Sequence, residues 1–329
     1  MNIRQEMWPS FCFIQVVVIA AGISGILGTA SRVEGQARTG ETVSQKATEQ
    51  FENSPLTITS LGQGLYVFSG DGGDVTAISD SDNTLLIDSG LASRISELND
   101  AIFKTTMRPV TRLVNTHWHF DHTGGNTYFG ASGVTIIAQE NVKKQLSSAK
   151  DVPFIGLHDG DYPSQALPGV TYSTSMSLRQ GSQRLTLENY GSAHTDGDTV
   201  IYISPANVAV VGDIFSNHVY PIIDLASGGS IDGMIHSVDH ILAQTDAQAR
   251  IVPGHGPVAT RADLQDYRDM LIQVRQRVKD LIAAGKTMDE AVTAAPTKDF
   301  DARWAGGYVT AEVFTKMVFS SLIGTNASR

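Results

Sequence analysis

Short alternating runs dominate the first half of the chain. "LTITSLG", "GLYVFSG", "DVTAISD" and "TLLIDSG" place apolar residues at alternate or nearly continuous positions, and Gly, Asp and Ser separate them. Period two between turn residues predicts strands, and four in succession predict an antiparallel meander. Ala92 to Thr105 is helix-compatible and leads into "TRLVNT" as a strand; "VTIIAQ" followed by "ENVKKQLSS" repeats that order. A second meander follows in "SLRQG", "QRLTLENYG", "TVIYISP" and "NVAVVGD". After a helix from about Ser230 to Gln244, "ARIVPGHG" is a buried strand ending in a loop. Two strand-rich halves among helices predict an α/β fold, a four-layer αββα sandwich of two mainly antiparallel sheets.

The end of the chain is patterned differently. Thr260 and Asp263 make a capping-box start, and Leu264, Tyr267, Leu271, Val274, Val278 and Leu281 then repeat at spacings of three and four until Gly285. Val313, Phe314, Met317, Val318 and Leu322 form a second stripe of this kind. Each stripe faces either a core or a second copy of the chain, so a homodimer through the C-terminal helices is an expectation.

The start carries another signal. Arg4 precedes the uncharged run Phe11 to Leu27, and small residues follow at Gly28 and Ala30. That order predicts a secretory signal peptide over residues 1–30 and a periplasmic or secreted protein, free of the membrane after cleavage. A retained anchor is the alternative, because the run approaches bilayer-spanning length. Ser31 to Pro55 is polar and predicts a flexible mature tail over residues 31–55. The main domain is then expected over 56–259, with a helical extension packed on it over 260–329.

Composition narrows the chemistry. The 329 residues are 41% hydrophobic and 18% charged, ordinary for one globular chain. The only cysteine, Cys12, lies inside the apolar run, so the mature protein would hold no disulfide and no thiolate. A formal charge of -10 without a basic run disfavours a phosphodiester backbone, so a small molecule is the expected partner and nucleic acid is not.

Against that background "NTHWHFDHTGG" is conspicuous: His117, His119, Asp121 and His122 crowd one loop after a predicted strand. Extended backbone would send His117, His119 and Asp121 to one side and His122 away, so one loop could serve two metals. Gly124 and Gly125 would let the backbone turn close to the ions. Further donors lie at other predicted strand ends: His194 in "GSAHTDGDT", Asp213 in "VVGDIF" and His255 in "VPGHGP". His236 and His240 share a helix face and read as solvated, and His158 reads as a loop residue.

The ordered set, from a strand-terminal Asp through HxHxDH to a lone His, an Asp and a final His, resembles the metallo-β-lactamase superfamily over about Leu56 to Pro257. The resemblance implies that His117, His119 and His194 bind one metal and Asp121, His122 and His255 a second, with Asp213 bridging. The cofactor would be two Zn2+, with Mn2+ or Fe2+ possible. Asp88 would orient the ligand loop, as an outer partner. The chemistry implied is attack of a metal-bound hydroxide on an ester, lactone, thioester or amide carbonyl, with Asp121 as the catalytic residue that orients the nucleophile. β-Lactam hydrolysis, an iron oxygenase or persulfide-type enzyme, and a non-catalytic module on the same fold are the alternatives. Tyr220, Ile222 and Ile223 are expected to wall the cleft, with His218 lining it, while Asp74 would overhang it and disfavour anions.

Overall fold

The computed structural model describes residues 42–70, 72–152 and 156–327. The expected signal peptide and the start of the expected tail lie outside the described residues. Among the described residues no helix is long and apolar enough to cross a membrane.

The predicted first meander is present as β1 (Thr57–Gly62), β2 (Leu65–Ser69), β3 (Val75–Ser79) and β4 (Thr84–Ile87). β5 (Val110–Val114) and β6 (Thr135–Gln139) follow, each after helical chain: α1 (Val43–Asn53) opens the described region, α2 (Ile95–Thr106) precedes β5, and α3 (Phe120–Thr123) and α4 (Asn126–Ala131) precede β6. Then come α5 (Glu140–Leu146), a small hairpin of β7 (Lys150–Val152) and β8 (Leu157–Asp159), and β9 (Val170–Tyr172). The first sheet runs β1-β2-β3-β4-β5-β6-β9. Its first four strands are antiparallel, but β4, β5, β6 and β9 pair in parallel. The second sheet, β10 to β15 in order, comprises β10 (Ser175–Gln180), β11 (Gln183–Glu188), β12 (Val200–Ser204), β13 (Val208–Val210), β14 (Arg250–Val252) and β15 (Ala259–Thr260). Only β13 and β14 pair in parallel there.

Three apolar clusters fill the gaps between layers. Leu65, Val67, Ile78 and Val114 of the first sheet meet Leu185, Ile201, Val210 and Val252 of the second. Leu98, Ile102 and Phe129 cover the outer face of the first sheet. The outer face of the second is covered by α6 (Ile231–Gln244), α7 (Arg261–Ala283) and α10 (Ala311–Ala327). The result is the four-layer sandwich. The short α8 (Met288–Thr293) and α9 (Asp301–Trp304) complete the extension. The α7 stripe that could have faced a second copy is spent inside the chain, since Leu264, Tyr267, Leu271, Val274 and Val278 are buried.

Residues 42–53 correct the expected tail. Thr42 accepts from the Gln45 amide and the Gln45 side chain accepts from the Thr42 amide, a capping box that starts α1. Val43, Ala47 and Phe51 recur every fourth residue and are buried. Three apolar residues in a polar segment are a weak period, and burying each larger one adds about 1.5–3 kcal/mol once a surface exists to receive it.

The parallel pairs place the site. β4 beside β5, and β13 beside β14, end side by side, so the loops leaving them open on one rim of the sandwich.

Candidate metal centre

Asp88 leaves β4 in a left-handed conformation, φ 65°, which an aspartate tolerates better than most residues. That turn aims its carboxylate across to the next strand. Oδ1 accepts the Thr116 amide at 2.7 Å; Oδ2 accepts the Thr116 hydroxyl at 2.7 Å and lies 2.8 Å from His122 Nδ1. Asp88 therefore ties the turn after β4 to Thr116 and His122 of the loop.

The loop itself departs from an extended run. His119 is extended, but Phe120–Thr123 is a helical turn that brings Asp121 and His122 back over the strand ends. The His122 ring lies 4.2 Å from that of His117, so it does not turn away. Gly124 and Gly125 do not turn near the donors either: both have right-handed φ, and added Cβ atoms would strike Ala92, Gly90 and Ser89. They allow the loop to pack on the turn after β4.

Two groups of donors result. The donor atoms of His117, His119, His194 and Asp213 lie within 4.8 Å of one another, and so do those of Asp121, His122 and His255. All seven residues are buried. Asp213 lies between the groups: Oδ2 is 3.7 Å from His194 Nε2, while Oδ1 is 3.1 Å from His122 Nε2 and 3.4 Å from His255 Nε2. Backbone makes room for it. A Cβ at Gly254 would sit 1.9 Å from Asp213 Oδ1, and one at Gly73 would sit 2.1 Å from the His122 ring.

Each imidazole of the first group spends one nitrogen on the protein. His117 Nδ1 meets the Thr116 hydroxyl at 3.1 Å, His119 Nε2 meets Asp224 Oδ2 at 3.1 Å, and His194 Nδ1 donates to the Ile222 carbonyl at 2.8 Å. The other nitrogens face inward. His117 Nε2, His122 Nε2 and Asp213 Oδ1 are buried without a hydrogen-bond partner, and His119 Nδ1 faces His194 Nε2 at 2.9 Å. His122 Nε2 and Asp213 Oδ1 are close yet misaligned for a hydrogen bond, as two ligands of a common ion would be. Inward donors fixed by an outer bond are the arrangement of metal ligands, so the residues fit a pair of cations.

The two groups differ in charge. Burial holds His117 well below its ordinary pKa and His194 at about 4, so these rings are neutral. Burial opposes charge on His122 and His255 too, but Asp213 and Asp121 outweigh it, raising His122 well above the ordinary value and His255 to about 10.

Asp224 gives no motif signal in the sequence. Burial opposes its ionisation, but His119 and Ser227 outweigh this and hold it strongly acidic. Asp198, which could be a plain turn residue, accepts the Thr195 amide at 2.9 Å and steadies the loop bearing His194. The expected wall is only partly right. Ile222 lines the crevice above the donors, together with Val43, Ala47, Leu157 and Tyr308. Tyr220 is fully buried away from it, stacked on Phe314 and donating to Asp301 at 2.9 Å, because the C-terminal helices supply its partners. Ile223 is buried with it, and His218 is exposed beside Trp304. His158 pairs with Asp151 on the surface, and His236 and His240 lie on α6, among neither donor group.

The crevice holds about 20 Å³, and a cavity of about 490 Å³ adjoins it. Phe51, His255 and Tyr308 line both. Asp74 is in the larger cavity, buried, its Oδ2 unpartnered and its carboxyl pushed up by burial to about 7. Its negative charge near neutral pH is thus smaller than an ordinary aspartate's.

A family model described as the metallo-beta-lactamase superfamily matches residues 69–286. A metallo-beta-lactamase type 2 from Bacillus sp. (strain 170) is 22% identical over 233 residues, 67% of this chain and 84% of that protein. A metallo-beta-lactamase structure from Pontibacter korlensis superposes with a TM-score of 0.56 at 20% identity, covering 66% of this chain and 99% of that one. The stereoselective inverting sec-alkylsulfatase Pisa1 from Pseudomonas sp. gives 0.64 at 15% identity, covering 85% of this chain and 52% of that one. At these identities the structural likeness is one of fold.

Proposed function

The chain belongs to the metallo-beta-lactamase superfamily, and from that premise we propose that it is a binuclear metal-dependent hydrolase of small uncharged esters, lactones or thioesters. His117, His119 and His194 would hold one cation, Asp121, His122 and His255 the other, and Asp213 would bridge them. Imidazole and carboxylate donors suit zinc, with manganese or iron as the other candidates. Bound there, the pair would supply an acidified water and Lewis acidity toward a carbonyl oxygen.

The chain's own residues would do the rest. Burial opposes charge on Asp121, but His122 and His255 keep it a carboxylate, able to accept a hydrogen bond from the attacking water and aim it. His119 and His122 cannot swing away, because Asp224 and Asp88 hold their far nitrogens. The observation that carries the substrate class is the lining of the crevice and cavity, which among the described residues contains no lysine or arginine. A β-lactam carboxylate or an alkyl sulfate would find no lysine or arginine among those residues to pair with, whereas an uncharged acyl group needs none.

A side-by-side panel on zinc-loaded protein tests this. A specificity constant for any β-lactam or sec-alkyl sulfate above that for every ester, lactone and thioester would overturn the substrate class. Export is part of the same proposal, supported by Arg4 and the Phe11 to Leu27 run. Mass spectrometry of native protein should find a mature terminus between about Ala30 and Ala37; soluble protein retaining Met1 would refute it.

A further inference from the structure

The apolar face of α1 lies directly over the donor groups. Phe51 stacks flat on His255, centroids 5.2 Å apart and planes 2° from parallel, and meets Tyr308 edge-on at 5.5 Å. Tyr308 also packs edge-on against His255 at 5.7 Å. The two aromatic rings therefore stand where the large cavity meets the crevice, which has room for about one water. Phe51 lines both spaces, so its ring stands beside a carbonyl moving from the cavity toward Asp121 and Asp213.

The helix is anchored at the end that carries this ring. Arg94 Nη1 donates to the carbonyls of Phe51 (2.7 Å), Ser54 (2.8 Å) and Gly70 (2.5 Å), tying the end of α1 to the loop after β2. Farther from that clamp, Val43 and Ala47 touch the crevice only through apolar contact.

We propose that Phe51 is a specificity-determining residue: held by Arg94, it sets the width of the passage between cavity and metal centre, and so the acyl bulk that reaches the reacting position. Slender acyl groups pass with the substrate's apolar tail left in the cavity against Phe51 and Tyr308. Bulky ones are turned back. This rests on the hydrolase assignment above for the reaction, but not on the identity of the scissile bond.

The test is a series of uncharged esters of rising acyl bulk on zinc-loaded protein. Phe51→Ala should raise the specificity constant for the bulkiest esters about tenfold relative to the acetate, the scale of discrimination by an apolar pocket. Ala47→Leu, which fills the crevice, should shift the profile the other way. Release of metal to a coloured chelator should also be faster from Phe51→Ala, since the ring covers His255. If Phe51→Ala does not fold, Phe51→Leu replaces it with a smaller shift in the same direction. A uniform change across the series, or an unchanged series and release rate in folded variants, overturns the proposal. Should wild type act on sulfates or β-lactams and not on esters, the ester assignment fails alone; the bulk series on the substrate it does cleave then decides the role of Phe51.

Discussion

The floor of the centre and the helix above it are held in place by different means. Below, seven buried donors from the ends of both sheets crowd together, and His117, His119, His122 and His194 are each gripped from behind. Above, Val43, Ala47 and Phe51 make apolar contact, and one arginine clamps the chain end. Polar grips tolerate little displacement, whereas apolar contact tolerates substitution if volume is kept. The difference teaches that the floor tolerates little change while the helix can vary, which is why the proposal above gives the floor the chemistry and the helix the choice of substrate.

The sharpest way to break this comparison is to remove a donor. Asp213→Ala and His255→Ala should each lose more than the roughly 10–100-fold that an outer partner costs, with metal per chain reduced and the sandwich still folded. Metal analysis beside circular dichroism checks this. Full activity at unchanged metal content in His255→Ala would remove that residue from the set. Chelation of wild type should abolish activity, and re-addition of zinc should restore it.

A smaller effect distinguishes the two halves of the floor. Asp88 grips His122 directly and His117 only through Thr116, whereas Asp224 grips His119, so Asp88→Ala should weaken chiefly the second site and Asp224→Ala the first, each by about 10–100-fold. Titration of metal-free protein with zinc should show a different step weakened in each variant. If both variants weaken the same step, the division into two groups is wrong.

Much of this floor was legible in the sequence because spacing and order survive without any knowledge of packing. His117, His119, Asp121 and His122 announce themselves within one loop, and His194, Asp213 and His255 follow at strand ends. Asp224 was not legible, since a single aspartate outside every motif acquires its role only when the chain returns beside His119. Tyr220 misled for the opposite reason: it follows Asp213 closely in sequence, yet its ring is drawn to Phe314 and its hydroxyl to Asp301. The strands were legible from period two, but the parallel pairing of β4 with β5 was not, because period two does not encode strand direction. The helix over the site was hidden in composition, three apolar residues among polar ones.

Farther from the chemistry, Tyr220→Phe removes the hydroxyl shared between Asp301 and the Thr297 carbonyl and keeps the ring stacked on Phe314. It should cost about 1 kcal/mol of stability and leave the specificity constant unchanged. A loss of activity at unchanged metal content would restore Tyr220 to the site.

The smallest effect compares two identical devices in the two regions. Thr42 caps α1 and Thr260 caps α7, each in a capping box, and loss of either side chain should cost its helix about 1 kcal/mol. The consequences differ because the helices are coupled differently to the rest of the chain. α7 buries Leu264, Tyr267, Met270, Leu271, Val274 and Val278 in the common core, so Thr260→Ala should lower the melting temperature by about 2 °C. α1 buries three side chains over a crevice and can open without unfolding the sandwich. Thr42→Ala should therefore leave the melting temperature nearly unmoved and instead quicken amide exchange across residues 43–53. Equal melting shifts in the two variants would mean that α1 unfolds only with the whole domain, and the helix would then belong with the floor as a fixed part of the site.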